Sequence, residues 1–342
     1  MRYHPPEHGT VRLVDPDSID LGLLEDTTIA VVGYGNQGRA QALNLRDSGC
    51  RVVIGQRPGP RAELAREDGF DVLSGMDAAR VADVVQLLVP DHLMPKVYYE
   101  EVAPVLKEGR ALAFSHGFAV HFKTITPMQG VDVYLVGPKG IGVQVRAQYE
   151  AGVGVPMLVA VEEDATGSAL RLAVAHAAAV GLGRTGIYET TFRDETECDL
   201  FGEQAVLCGG IAELVRAAFE VLVEKGYPPE IAYFECLHEL KLIADLLYDR
   251  GIAETFRAIS PTAAFGAYTR GPRLVTDATR AELRRMVEEI QSGAFARELE
   301  EEMRTGGGLS RAHAGKAAAH PIEEAGRRIR AQFLTPPGAE AP

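Results

Sequence analysis

Four things are missing from this sequence: paired cysteines, a basic excess, an apolar leader and a long hydrophobic run. Each absence removes a class of protein. Cys50, Cys198, Cys208 and Cys236 are scattered with no C-x-x-C spacing, which argues for reduced cytoplasmic thiols and against a disulfide scaffold or zinc site. The formal charge is −13 over 342 residues, so neither nucleic acid nor an anionic membrane is an expected partner. The opening "MRYHPPEHGTVRLVDPDSID" has no apolar stretch that would read as a signal peptide. No segment approaches the roughly 18 apolar residues of a membrane span. Hydrophobic residues nevertheless make up 46 %, enough for a sizeable core, and the length suits two domains. The end, "TPPGAEAP", is expected to be a disordered tail over 335–342.

The clearest local pattern is "TTIAVVGYGNQGRAQALNLRDSGCRVVIGQR". A β-branched run from Thr28 to Val32 meets Gly33-x-Gly35-x-x-Gly38. An amphipathic stretch follows, ends at Gly49, and a second apolar run covers Val52 to Gly55. Strand, glycine turn, helix and strand within about 30 residues is the context a dinucleotide fingerprint requires. Gly33 permits the tight turn, Gly35 lets a pyrophosphate approach the backbone, and Gly38 lets the helix pack on the sheet. The second strand ends in Gln56-Arg57, with Arg61 close behind, where an NAD site has an acid. Guanidinium groups there can fork onto a 2′-phosphate, so NADP is favoured, with NAD still possible; a solvated basic loop is the competing reading.

Near-continuous apolar runs at Asp83–Pro90, Ala111–Gly117, Asp132–Gly140 and Pro156–Asp164 predict further strands of a doubly wound sheet buried on both faces. Ligands in such sheets bind at the carboxyl ends of strands. Those ends offer Asp91, Ser115, His116 and Lys139. From about Thr191 the periodicity becomes helical, with Pro228-Pro229 opening a helix and Gly226 and Gly251 as terminators. The reading is therefore an α/β Rossmann-type domain over 1–190 and an all-α domain over 191–334. The helical part sets carboxylates four apart in apolar company: Asp199 with Glu203, and Glu235 with Glu239. Residues i and i+4 share a helix face, so these acids are expected to point inward. Inward carboxylates would repel one another unless a cation such as Mg²⁺ neutralises them; a pair of amphipathic helices with solvated acids would also give the pattern.

The sequence resembles ketol-acid reductoisomerase (acetohydroxy acid isomeroreductase) of the shorter, class I type. The resemblance runs from about Leu24 to Ala331 and rests on "GYGNQGRAQALNLRDSG", "FSHGFAVHF", "PKGIGVQVR", "ETTFRDETECDLFGEQAVLCGG", "YFECLHELKLIADLLYDRGI" and "ISPTAAFG". It implies a Mg²⁺-dependent rearrangement of 2-acetolactate or 2-aceto-2-hydroxybutyrate followed by NADPH reduction, in valine, leucine and isoleucine synthesis. It also implies a knotted helical domain and a homodimer, or a higher homo-oligomer, with shared active sites. By the same resemblance Asp199 bridges two Mg²⁺ ions, Glu203 completes the first, and Glu235 and Glu239 serve the second. Ser260 holds the substrate, His116 is an active-site residue, Lys139 lies near the metal-bound water, and Glu239 is the candidate for proton transfer. Tyr34, Gly35, Asn36, Gln37, Arg57 and Gly142 match cofactor contacts.

Some positions depart from the family pattern. Pro60 and Ala62 stand where the family has hydroxyl residues for the 2′-phosphate, Ile141 replaces proline, and Ala264 and Phe265 replace an acid and a tyrosine. These departures leave a paralogue with a shifted substrate open. The residues taken without the resemblance also fit a metal-independent 3-hydroxyacid dehydrogenase using Lys139, or a non-catalytic NADP-binding scaffold.

Overall fold

The computed structural model describes residues 3–333, so the expected tail at 335–342 lies outside the described residues. The chain forms two compact units that divide between Cys198 and Asp199, inside the helix Phe192–Gly202.

The first unit is built on nine strands: β1 (Arg12–Leu13), β2 (Thr28–Val32), β3 (Arg51–Gly55), β4 (Asp71–Leu73), β5 (Val84–Leu87), β6 (Ala111–Phe114), β7 (Asp132–Pro138), β8 (Met157–Glu163) and β9 (Ile187–Glu189). They form one sheet in the order β1-β9-β8-β7-β6-β5-β2-β3-β4. From β4 to β7 every pairing is parallel, in the doubly wound order that reverses direction between β2 and β5. That reversal opens a crevice at the strand ends, where such folds take ligands. β8 turns back antiparallel to β7, β9 runs parallel to β8, and β1 closes the edge antiparallel to β9.

Alternate side chains of the buried strands feed two separate cores. Val31, Val84, Ala113 and Tyr134 pack with Ala42, Leu45, Val145, Ala173 and Ala177 from helices on one face. Ala30, Val32, Val85, Leu112 and Leu135 pack with Ala78, Tyr98, Val102 and Ala119 on the other. With both faces covered, the central strands have no polar side to show, hence the continuous apolar runs in the sequence. The six long strands fall where the apolar runs place them. The short strands β1, β4 and β9, at or next to the sheet's edges, carry no such run, because two or three residues there are held by their neighbours' ladder rather than by their own burial.

The second unit is entirely helical among the described residues. Pro228 caps the helix that starts at Pro229, and Gly251, with φ of 75°, breaks the long helix Glu239–Ala258. Its buried cluster is small: Phe219, Ala232, Tyr233, Ile322, Ala325 and Ile329. Large apolar side chains of the same unit stay exposed, among them Tyr248 at 86 % and Ile252 at 68 %.

One polar pair sits inside the first core. His176, on the helix Ala169–Gly181, is fully buried; its Nδ1 lies 3.0 Å from the Tyr134 hydroxyl, and its Nε2 has no partner. Burial pushes the imidazole down to about 4, from an ordinary value of 6.5. The unfolded chain takes up a proton near pH 6.5 that the folded chain refuses until about pH 4. The neutral ring's contribution to stability is thus complete above pH 6.5 and is lost as pH falls toward 4, by ~3 kcal/mol at full effect. Urea midpoints should therefore drop between pH 7 and pH 4.5. In the double variant His176→Leu with Tyr134→Phe, which leaves no orphaned hydroxyl, that drop should shrink; an unchanged slope would refute the assignment.

Candidate active site

The crevice begins with the glycine turn after β2. Gly33 has φ of 104°, and a Cβ there would stand 2.6 Å from the Leu88 carbonyl oxygen of the strand-end segment beyond β5. A Cβ on Gly38 would lie 2.0 Å from the Gly33 carbonyl oxygen, so the first turn of the helix Asn36–Asp47 presses directly on the loop. A second helix arrives at the same point. Gly142 opens the helix Gly142–Glu150, and a Cβ on it would sit 2.2 Å from the Asn36 carbonyl oxygen. Neither helix has a side-chain cap at its N-terminus. Two sets of uncapped backbone N–H groups, with two positive dipole ends, therefore converge beside a loop that no Cβ obstructs. That arrangement fits the pyrophosphate of a dinucleotide.

Side chains tie this cradle together. Gln37 Nε2 donates to the Gly140 carbonyl at 2.9 Å, linking the glycine turn to the loop after β7. Gln41 Nε2 donates to Ser115 Oγ at 3.0 Å and to Gln37 Oε1 at 3.1 Å. Arg61, on the helix Pro60–Glu67, brings a guanidinium nitrogen to 3.1 Å from where a Gly35 side chain would begin. Arg57 is exposed on the loop after β3, Pro60 has no N–H to offer, and Ala62 is wholly buried. Tyr34 plays a different part from the one its motif suggests. Its ring is buried against Phe70, its hydroxyl donates to Asp68, and its N–H donates to Gln56 Oε1 at 2.9 Å. The side chain shapes the turn from below and does not face the crevice.

At the far side of the crevice the ends of β6 and β7 bring His116 and Lys139 to one carboxylate, Glu195. His116 Nδ1 lies 3.2 Å from Glu195 Oε2, the Gly117 N–H donates to the same oxygen at 3.0 Å, and Lys139 Nζ donates to Oε1 at 3.4 Å. Burial alone would raise the Glu195 carboxyl, but His116, Lys139 and the Gly117 N–H outweigh it and hold the group below its ordinary range. Asp91 belongs to the same neighbourhood. Burial raises its carboxyl, His116 opposes that, and Glu195 adds to it. Sequence motifs do not single out Glu195, although it stands four residues before Asp199 on the same helix and so on the same face.

Glu203 opens a π-helical turn, Glu203–Leu207, and Glu235 lies in another, Phe234–His238, which runs directly into Glu239. Such turns are rare and gather at functional sites. The widened backbone explains the glycines of "LCGG": Cβ atoms on Gly209 and Gly210 would stand 2.3 and 2.0 Å from the carbonyl oxygens of Gln204 and Ala205. The expectation that all four acids point inward does not hold within one chain. Asp199 is half-buried, and Glu203, Glu235 and Glu239 are exposed. The helical unit closes too small a core to cover the apolar faces these acids stand on. Among the described residues, no group of three or more metal-ligand atoms within 4.8 Å of one another includes Glu203, Glu235 or Glu239. As donors the four fit a hard cation such as Mg²⁺, which takes carboxylate oxygens. Ser260 caps the helix Pro261–Leu274, accepting from the Ala263 N–H at 3.1 Å; its hydroxyl proton can still be donated.

A doubly wound sheet with this cradle, followed by a helical unit bearing acids, defines an oxidoreductase that works with a nicotinamide dinucleotide. Residues 23–186 match the family description "Acetohydroxy acid isomeroreductase, NADPH-binding domain", and residues 192–334 match "Ketol-acid reductoisomerase, C-terminal domain". The chain belongs to the ketol-acid reductoisomerase family. It is similar to the structure of an NADH-preferring ketol-acid reductoisomerase from an uncultured archaeon, at 44% identity over 95% of this chain and 100% of that one, with a TM-score of 0.92. A semialdehyde dehydrogenase NAD-binding protein from Cupriavidus necator shares the fold at 20% identity over 78% of this chain and 99% of that one, with a TM-score of 0.61.

The contact between Gly142 and Asn36 can be tested directly. Gly142→Ala should push the two helix starts apart and weaken binding of the reduced nicotinamide dinucleotide about tenfold, since overpacking a tight contact costs about 1–3 kcal/mol. Titration of cofactor fluorescence measures it, and unchanged affinity would show that the convergence does not form the cradle.

Proposed function

We propose that the protein is a ketol-acid reductoisomerase in activity as well as family: it rearranges 2-acetolactate or 2-aceto-2-hydroxybutyrate and reduces the product to the 2,3-dihydroxy acid, a cytoplasmic step of branched-chain amino-acid synthesis. The observation that carries this reading is Glu195, a buried carboxylate engaged by His116, Lys139 and the Gly117 N–H beside the dinucleotide cradle, one helical turn before Asp199.

In this reading Glu195 keeps His116 and Lys139 aimed at the strand ends, where the nicotinamide half of the cofactor reaches in a sheet of this order. His116 and Lys139 orient the 2-hydroxy-3-keto acid and steady charge that develops on its oxygens. Asp199 and Glu203 would hold Mg²⁺ from one chain, with Glu235, Glu239 and Ser260 supplied by the second copy of a homodimer. Two facts support that division: the acids do not gather within one chain, and the helical unit leaves large apolar side chains uncovered. Bound Mg²⁺ supplies Lewis-acid polarisation of the substrate's ketone and hydroxyl. Ser260 would hold the substrate by a hydrogen bond from its hydroxyl, keeping its own proton, and Glu239 would take up the proton that leaves the substrate's hydroxyl group. The deciding assay follows NADPH and NADH oxidation with 2-acetolactate, with and without Mg²⁺. Turnover should require Mg²⁺ and disappear in Asp199→Asn while the fold persists; turnover indifferent to chelation would refute the proposal.

The basic loop bears on cofactor choice. Arg61 leans toward Gly35, where a pyrophosphate common to both cofactors would lie, and Pro60 and Ala62 offer a 2′-phosphate no side-chain donor. Discrimination then falls to Arg57 alone. We expect both cofactors to be used, in keeping with the NADH preference of the archaeal relative. NADPH should lead by roughly five- to tenfold at low salt and by less at high salt, since one charged hydrogen bond in an exposed loop is readily screened. Arg57→Ala should level the two kcat/KM values, whereas Arg61→Ala should lower both together. A variant at Arg61 that hurts NADPH alone would overturn this division of roles.

A further inference from the structure

Residues 3–13 form an arm that precedes the segment matched to the family, 23–186. The arm lies along β9 and ends at the first turn of the helix Phe192–Gly202. β1 pairs antiparallel with β9, joining Arg12 to Glu189, and the Val14 N–H donates to the Ile187 carbonyl at 2.8 Å. The buried Glu189 carboxylate receives the Tyr3 hydroxyl at 3.0 Å and lies 3.3 Å from Arg12 Nη2. Arg12 also donates to the His4 carbonyl at 2.7 Å, folding the arm on itself. At its turn the arm meets Asp194: His8 Nδ1 pairs with one carboxylate oxygen, and the Gly9 N–H donates to the other at 3.1 Å.

Asp194 and Glu195 are consecutive, so their side chains leave the helix about 100° apart. One carboxylate is held from outside by the arm, the other from inside by His116, Lys139 and the Gly117 N–H. The Asp194 N–H, meanwhile, donates to the capping Thr191 hydroxyl at 2.9 Å. A helix gripped at two azimuths cannot turn about its own axis. We infer that the arm is a positioning strap: through His8, Gly9 and Asp194 it fixes the rotational setting of the helix that presents Glu195. Asp194 and His8 are then positioning residues that touch neither cofactor nor substrate. Their effect on turnover rests on the activity proposed above; their effect on the helix does not.

Backbone amide exchange in the full-length, metal-free protein separates the two. In Asp194→Ala the amides of 192–202 should exchange several-fold faster while those of β2 keep their wild-type rates, as a local opening would do. His8→Ala, on an exposed residue, should give a smaller change in the same direction, and His8→Lys, which places a donor beside Asp194, should restore most of it. With 2-acetolactate, kcat should fall about three- to tenfold in Asp194→Ala with the KM for the dinucleotide unchanged, the scale of losing two partly exposed hydrogen bonds. Unchanged exchange over 192–202, or equal acceleration in β2, would overturn the strap. A wild-type protein inactive on 2-acetolactate would sink the proposed activity and leave the exchange result to decide the strap by itself.

Discussion

The first unit depends on one close approach: the backbone of Gly142 against the backbone of Asn36. Two helices that start at different strands, after β2 and after β7, are brought to a common origin there, with no side chain between them. Everything polar about the cradle follows. The N–H groups of both helix starts go unpaired within their own helices. Gln37 can reach the Gly140 carbonyl only because the two loops touch, and the loop after β7 that carries Lys139 is thereby tied to the glycine turn. A methyl group in the wrong place would separate the cradle from the chemistry it serves.

The protein handles its acids in two opposite ways. Glu195 is buried and ionised, a costly state that is tolerable because three donors surround it; its charge is fixed by the fold alone. Glu203, Glu235 and Glu239 are exposed on helices whose apolar faces are open. The first arrangement is complete within the fold, and the second leaves its carboxylates at the surface. The contrast matches the two units, one with two continuous cores against a long sheet and the other with a cluster of six buried residues.

The fold is legible where burial dictates sequence. Thr28–Val32, Asp132–Pro138 and their neighbours are apolar throughout because both their faces are covered, and the glycine turn shows because backbone crowding admits no substitute. Burial also explains what is not legible. Tyr34 sits inside a cofactor motif yet faces the core, since a motif fixes the backbone path and says nothing of where the intervening ring points. Glu195 carries no local signal because its partners, His116 and Lys139, come from strands far away in sequence. The four spaced acids read as interior residues because their apolar neighbours imply a cover, yet in this chain Glu203, Glu235 and Glu239 are exposed and their apolar neighbours stay largely open. The roles implied for Ser260 and for the acids come from family likeness rather than from any contact in this chain.

Each π-helical turn is, in register, one residue too many for an ordinary helix. In Glu203–Leu207 the wide turn takes up the extra residue, so the helix Gly209–Glu224, with Val215, Phe219 and Leu222 on its packed stripe, keeps the setting it would have without that residue. Deleting a single residue such as Ala205 would heal the turn and leave both flanking faces where they are, whereas adding or removing one residue in the regular helix beyond it would rotate everything downstream by about 100°. Length in the regular helices is thus under tighter constraint than identity, while the wide turn is a place where the count can fall by one without re-aiming the helix that follows.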